Sequence, residues 1–114
     1  MLRRGSKYGN RKISTPDGTF DSEREYRRWR ELQLLEMAGE IGALRRQVPF
    51  QLLPAQYDRG TGKLLERSVS YVADFVYQTD GFTVVEDAKG FRTPEYILKR
   101  KLMLYIHGLK VQEV

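Results

Sequence analysis

The sequence predicts a mixed α/β domain in the order helix, three strands, helix, strand. Two observations carry this expectation. Apolar residues recur at helical spacing in two separate stretches, and three runs between them are rich in β-branched and aromatic residues, two of these joined by Asp80-Gly81. At 114 residues the chain fits one such domain, large enough to pack a sheet against one or two helices.

Residues 1–20 contain Gly5, Gly9, Pro16 and Gly18 and show no apolar periodicity, so they read as an arm ending in a turn, with the domain itself over 21–114. Ser22 followed by Glu25 is a capping box, in which a hydroxyl and a carboxylate satisfy the first backbone donors of a helix. Tyr26, Trp29, Leu32 and Leu35 continue at three-residue spacing and mark one apolar stripe, which runs to Ala38 and stops at Gly39. Residues 44–53 read as a strand that Pro49 confines to an edge or a bulge. Pro54, Gly60 and Gly62 make 54–68 a loop or hairpin tip. Residues 69–78 and 82–89 are strands, and Asp80-Gly81 joins them in a tight hairpin. Thr93-Pro94 opens a second helix, with Tyr96, Ile97, Leu98, Leu102, Met103 and Ile106 on it and Gly108 at its end. Residues 109–114 alternate and suggest a closing strand. No apolar run approaches the roughly 18 residues a membrane span needs, and neither a span nor a secretory leader is expected.

Charge is distributed unevenly. Of 20 basic and 15 acidic residues, Arg3, Arg4, Lys7, Arg11 and Lys12 fall in the first twelve positions, which hold no acid, so the rest of the chain is balanced. A basic arm on a neutral domain suggests a polyanionic partner, because each phosphate neutralised releases condensed counterions; a solvated tail that aids solubility is the plainer account. With no cysteine and only His107, thiolate and histidine-rich metal sites and disulfides are excluded.

The hairpin allows a sharper inference. A two-residue turn at Asp80-Gly81 pairs Thr79 with Phe82, and counting outward places Phe75 opposite Glu86 and Asp74 opposite Asp87. Like charges facing each other destabilise a sheet. Strand alternation puts Lys89 on the face of Asp87 and turns Glu86 to the other side. Two opposed acids among Val72, Val76 and Val85 require a proton or a cation, and oxygen ligands alone favour Mg²⁺ or Mn²⁺. The competing reading is a salt bridge in which Lys89 neutralises one or both aspartates.

These residues resemble a known signature. Tyr71-Val72-Ala73-Asp74-Phe75 followed by Val84-Val85-Glu86-Asp87-Ala88-Lys89-Gly90 is similar to the split motif of the PD-(D/E)XK nuclease superfamily, although Ala73 stands where the motif's name has proline. With Phe20-Asp21-Ser22-x-x-Glu25, Gln47-Val48-Pro49-Phe50 and Lys99-Arg100-Lys101, nearly the whole chain resembles a phage and prophage family of small, mostly uncharacterised proteins assigned to that superfamily.

The resemblance implies a restriction-endonuclease-like core, with a mixed sheet flanked by helices. It implies Asp74, Asp87 and Glu25 as metal ligands, and Lys89 as the group that orients a nucleophilic water or stabilises charge. The expected activity is Mg²⁺- or Mn²⁺-dependent endonucleolytic cleavage of DNA in a bacterial cytoplasm, without a small-molecule cofactor. Arg3, Arg4, Lys7, Arg11, Lys12, Arg92, Lys99 and Lys101 are the candidate phosphate contacts. Gln47 and Gln51 lie where strand side chains could approach the site, with simple strand polarity the plainer account; Tyr71, Phe75 and Tyr77 read as core residues sharing one sheet face, and His107 as a cap or packing group. Two alternatives remain: a structure-selective nuclease such as a Holliday-junction resolvase, which would be a two-fold homodimer, and a non-catalytic nucleic-acid-binding accessory protein.

Overall fold

The computed structural model describes residues 11–114. Instead of trailing as an arm, 13–20 fold into a hairpin of β1 (Ile13–Thr15) and β2 (Gly18–Phe20). Its turn is stabilised by Thr15 Oγ1, which donates to the Gly18 carbonyl at 2.8 Å. The hairpin belongs to the folded body because Phe20 is fully buried, edge-on to Tyr26 with ring centroids 5.1 Å apart. Helix α1 (Glu23–Met37) follows, capped by Ser22 as expected.

Four strands make the central sheet: β3 (Gly42–Leu53), β6 (Val69–Thr79), β7 (Phe82–Asp87) and β8 (Val111–Glu113), in the spatial order β3-β6-β7-β8. The first two pairings are antiparallel and β7–β8 is parallel, so the sheet is mixed. Pro49 sits on β3, an edge strand, where its missing N–H costs no ladder bond on the open side. The short strands β4 (Gln56–Tyr57) and β5 (Leu64–Glu66) form a separate ribbon in the expected 54–68 connection. Helix α2 (Pro94–Leu102) starts at the Thr93 cap. It then widens into a π-helical turn over Met103–His107 before Gly108, at φ 68, ends it; nothing in the residue pattern announced that widening. None of the described helices is long and apolar enough to cross a membrane.

The sheet separates two apolar clusters. Leu32, Phe75 and Tyr77 pack beneath α1, with Trp29 stacked on Phe75 at 6.0 Å. Tyr71, Ala73, Val76, Val85, Tyr96, Met103 and Val111 pack beneath α2. Complete burial of a side chain such as Phe75 or Leu32 contributes roughly 1.5–3 kcal/mol.

Cluster membership corrects one expectation: Tyr71 does not share a face with Phe75 and Tyr77. Ala73 belongs to the α2 side and Phe75 to the α1 side, although two-residue spacing should keep them together. The alternation therefore slips at Asp74. On β3 it slips at the facing residue, since Leu44 lies on the α1 side and Val48 on the α2 side, and between them Gln47 takes the left-handed φ of 52. The β3–β6 ladder keeps its register on both sides of this point but lacks the Gln47–Asp74 rung.

Candidate metal centre and its surroundings

The hairpin register is the one counted from Asp80-Gly81, with Thr79 opposite Phe82 and Phe75 opposite Glu86. Positive φ values of 51 and 80 at Asp80 and Gly81 are those a type I′ turn demands. The ladder ends one pair short of Asp74 and Asp87. Because β6 slips at Asp74, its carboxylate does not stand as a simple cross-strand partner of Asp87. Instead Asp74 Oδ2 accepts the Ala88 N–H at 2.9 Å, across the fork where β6 and β7 part.

Three acids surround this fork. Glu25, in the first turn of α1, is buried and divides its two oxygens. Oε1 accepts the Asp21 N–H at 3.1 Å, one residue before the Ser22 cap whose own N–H a capping box would use, while Oε2 accepts from Gln47 Nε2 at 3.0 Å and from Arg46 at 3.4 Å. The same Gln47 amide donates to Asp74 Oδ1 at 3.2 Å. Burial, then the charges of Asp87 and Glu25, push the Asp74 carboxyl up to about 7, against the opposing pull of the Ala88 N–H and Lys89.

Asp87, at the end of β7, is 3 % exposed. Its Oδ2 accepts from the Tyr71 hydroxyl at 2.6 Å, and its Oδ1 is buried without a hydrogen bond, facing Lys89 Nζ in an ion pair at 3.1 Å. Burial and the Asp87 charge hold the Tyr71 phenol far above its ordinary range, so it serves as a donor. Lys89 in turn lies over the Tyr96 ring, 4.3 Å from its centroid. Glu86 points to the opposite face, as alternation requires. It takes a two-pronged contact from Arg28 at 2.8 and 2.7 Å, and a hydrogen bond from Tyr77.

Among the described residues, no three Asp, Glu, His or Cys side chains converge as a ready-made metal centre. The donor chemistry nevertheless suits a hard divalent ion. All candidate ligands are carboxylate oxygens, Asp87 Oδ1 is a buried acceptor without a hydrogen bond, and Asp74 is under charge pressure from the two other acids. Glu25, Asp74 and Asp87 are the residues that would hold such an ion.

The basic candidates separate by position. Arg3, Arg4 and Lys7 lie outside the described residues. Arg11 and Lys12 are exposed beside the start of α1, with Lys12 3.4 Å from Asp21. Lys99 lines the same cleft as Asp87 and Lys89 and pairs with Glu95 at 3.1 Å. Lys101 faces a different groove, beside Lys110 and β8. Arg92 is an exposed side chain with a carboxylate partner. It is engaged by Glu113 at 2.6 Å, and this contact with Arg92, joined by Tyr96 and Arg100, depresses the Glu113 carboxyl to about 2. Arg92 thus ties the loop after β7 to β8.

Tyr71 is a site residue that strand alternation placed on the other face, and Gln47, for which approach to the site was one of two readings, is aimed there by a left-handed backbone that no residue preference announces. His107 has the packing role expected of it, 2.8 Å from the Gln51 carbonyl and edge-on to Phe50, away from the acids.

Residues 5–112 match the model of a family described as "Protein of unknown function (DUF1064)". No curated protein and no solved structure matches the chain.

Proposed function

Since the chain belongs to the DUF1064 family, whose description names no activity, its chemistry is argued from its own residues, and we propose that it is a divalent-metal-dependent nuclease of the PD-(D/E)XK type that hydrolyses DNA phosphodiester bonds. The observation that carries the reading is the fork itself. Asp74 is half-buried between Asp87 and Glu25 and pushed up to about 7, while the buried Asp87 Oδ1 has no hydrogen bond and only the Lys89 ammonium beside it. Like charges set under mutual pressure in this way cost stability. Such groupings concentrate where charge is needed for chemistry.

Within this reading the side chains divide the work. Tyr71 fixes Asp87 through Oδ2 and leaves Oδ1 turned toward Lys89. Gln47 holds Glu25 and Asp74 at a set separation. Lys89, braced on the Tyr96 ring, orients the attacking water or the phosphate oxygen. A divalent cation held by Glu25, Asp74 and Asp87 would supply Lewis acidity for the negative charge that develops on the phosphate oxygens. Water oxygen bonds to phosphorus, the bond to the 3′ oxygen breaks, and a proton passes to that leaving oxygen, giving a 5′-phosphate end.

One observation favours a second reading. The Lys89–Asp87 ion pair is what an idle, internally neutralised site would contain, as in an accessory protein that binds nucleic acid without cutting it. Incubating the protein with plasmid, single-stranded, flap and four-way DNA, with and without Mg²⁺ or Mn²⁺, separates the readings. Metal-dependent cutting that disappears in Asp74→Ala and Asp87→Ala is expected. Binding without cutting in either metal, or undiminished cutting by either variant, refutes the nuclease assignment.

A further inference from the structure

Three clefts meet along one face of the protein. The outer one, about 650 Å³, lies between β1 and the first turn of α1 and carries Arg11, Lys12 and Arg24. The middle one, about 210 Å³, opens over Glu25 and Asp74 and is walled by Phe91. The inner one, about 330 Å³, runs from Asp87 along α2 to Lys99. Ser22 lines both the outer and middle clefts, and Lys89 and Thr93 line both the middle and inner ones, so the three adjoin in a row and together form a trench.

We propose that this trench takes one DNA strand, with a phosphodiester over Asp74 and the flanking phosphates on Arg24 at one end and Lys99 at the other. The proposal rests on the nuclease reading and names its substrate class: a strand free of its complement, such as a flap, a loop or an end. Its physical basis is the narrow waist. The middle cleft is the smallest of the three and is closed on both sides, by the turn before α1 and by the loop after β7. It admits a sugar-phosphate unit, whereas a duplex brings two strands locked on one stiff body.

Acids line the trench as well, but the relevant cations are held only loosely. Asp21, which pairs with Lys12, and Glu95, which pairs with Lys99, are both largely exposed. Such surface pairs exchange readily for a phosphate.

Fluorescence anisotropy with a labelled twelve-nucleotide oligothymidylate and the matching duplex, in EDTA, tests this without cleavage. The full chain is expected to bind the single strand at least about tenfold tighter. Each phosphate contact adds about 0.7 to the salt slope of single-strand binding, so Arg24→Ala with Lys99→Ala is expected to lower the slope by about 1.4. Equal affinity for duplex, or a slope indifferent to Arg24 and Lys99, overturns the trench. These binding results do not depend on cutting: a strand-selective protein that cuts nothing in Mg²⁺ keeps the trench and loses the nuclease reading. A protein that cuts but binds duplex equally does the reverse.

Discussion

Gln47 Nε2 donates to Asp74 Oδ1 at 3.2 Å across a rung missing from the β3–β6 ladder. Both strands change face at that rung, so the sheet interrupts its own hydrogen bonding where the acids gather. The left-handed backbone of Gln47 is the local cost. Gln47→Gly and Gln47→Ala both remove the amide, but only glycine is at ease at a φ of 52. The glycine variant is expected to be more stable than the alanine variant by about 1 kcal/mol in urea unfolding, with both equally impaired in cutting. Equal stability would contradict the strain.

The position of Asp74 makes metal-free stability depend on pH. Its carboxyl is raised from the ordinary 3.8 to about 7, first by burial and then by Asp87 and Glu25. Between those values the folded state keeps a proton that the unfolded chain has released. Stability is therefore highest at the acid end of this window, declines as pH rises toward about 7, and levels off above it. Asp74→Asn is expected to remove that decline and to be the more stable protein at pH 8 without metal. Wild-type and variant curves that run parallel, followed by thermal unfolding from pH 4 to 8, would count against the coupling.

Tyr71→Phe tests the support of Asp87. Loss of the 2.6 Å bond leaves Oδ2 buried without its donor. That is expected to lower stability by about 1–3 kcal/mol, and to weaken Mn²⁺ binding about 10- to 100-fold, as loss of a group that orients a ligand does. Unchanged chemical denaturation and Mn²⁺ titration together would reduce Tyr71 to a packing residue.

Arg28 and Glu86 join α1 to β7 one turn beyond Glu25 and one residue before Asp87. Glu86 is fully buried while Arg28 is about a quarter exposed, so removing the acid strands a partly solvated charge and the Tyr77 hydroxyl. Glu86→Ala is expected to cost about 3 kcal/mol, the lower end for a broken buried pair. Arg28→Lys should fall between it and wild type, since an ammonium does not reproduce the fork. Urea midpoints decide the order; a lysine variant as unstable as Glu86→Ala would show that the fork geometry carries the whole interaction.

Much of this architecture was legible in the chain. The Ser22 cap, the Thr93-Pro94 helix start and the Asp80-Gly81 turn are local chemistry, and each appears where the residues placed it. Register counting from that turn put Glu86 and Asp87 on opposite faces and Lys89 beside Asp87, as found. What escaped was non-local or conformational. The hairpin at 13–20 depends on Phe20 finding Tyr26, a tertiary contact with no periodic signal. The slip at Asp74 depends on an unusual φ at Gln47 that no residue preference announces, and it moved Tyr71 from the expected face to the side of Asp87.

The claim beneath the whole reading is that these acids hold a divalent cation. Isothermal titration of Mn²⁺ into the metal-free protein at pH 7.5 tests it without reference to any substrate. Binding by the wild type that is lost in both Asp74→Asn and Asp87→Asn is the predicted result. No binding by the wild type, or the same binding in either variant, would contradict it.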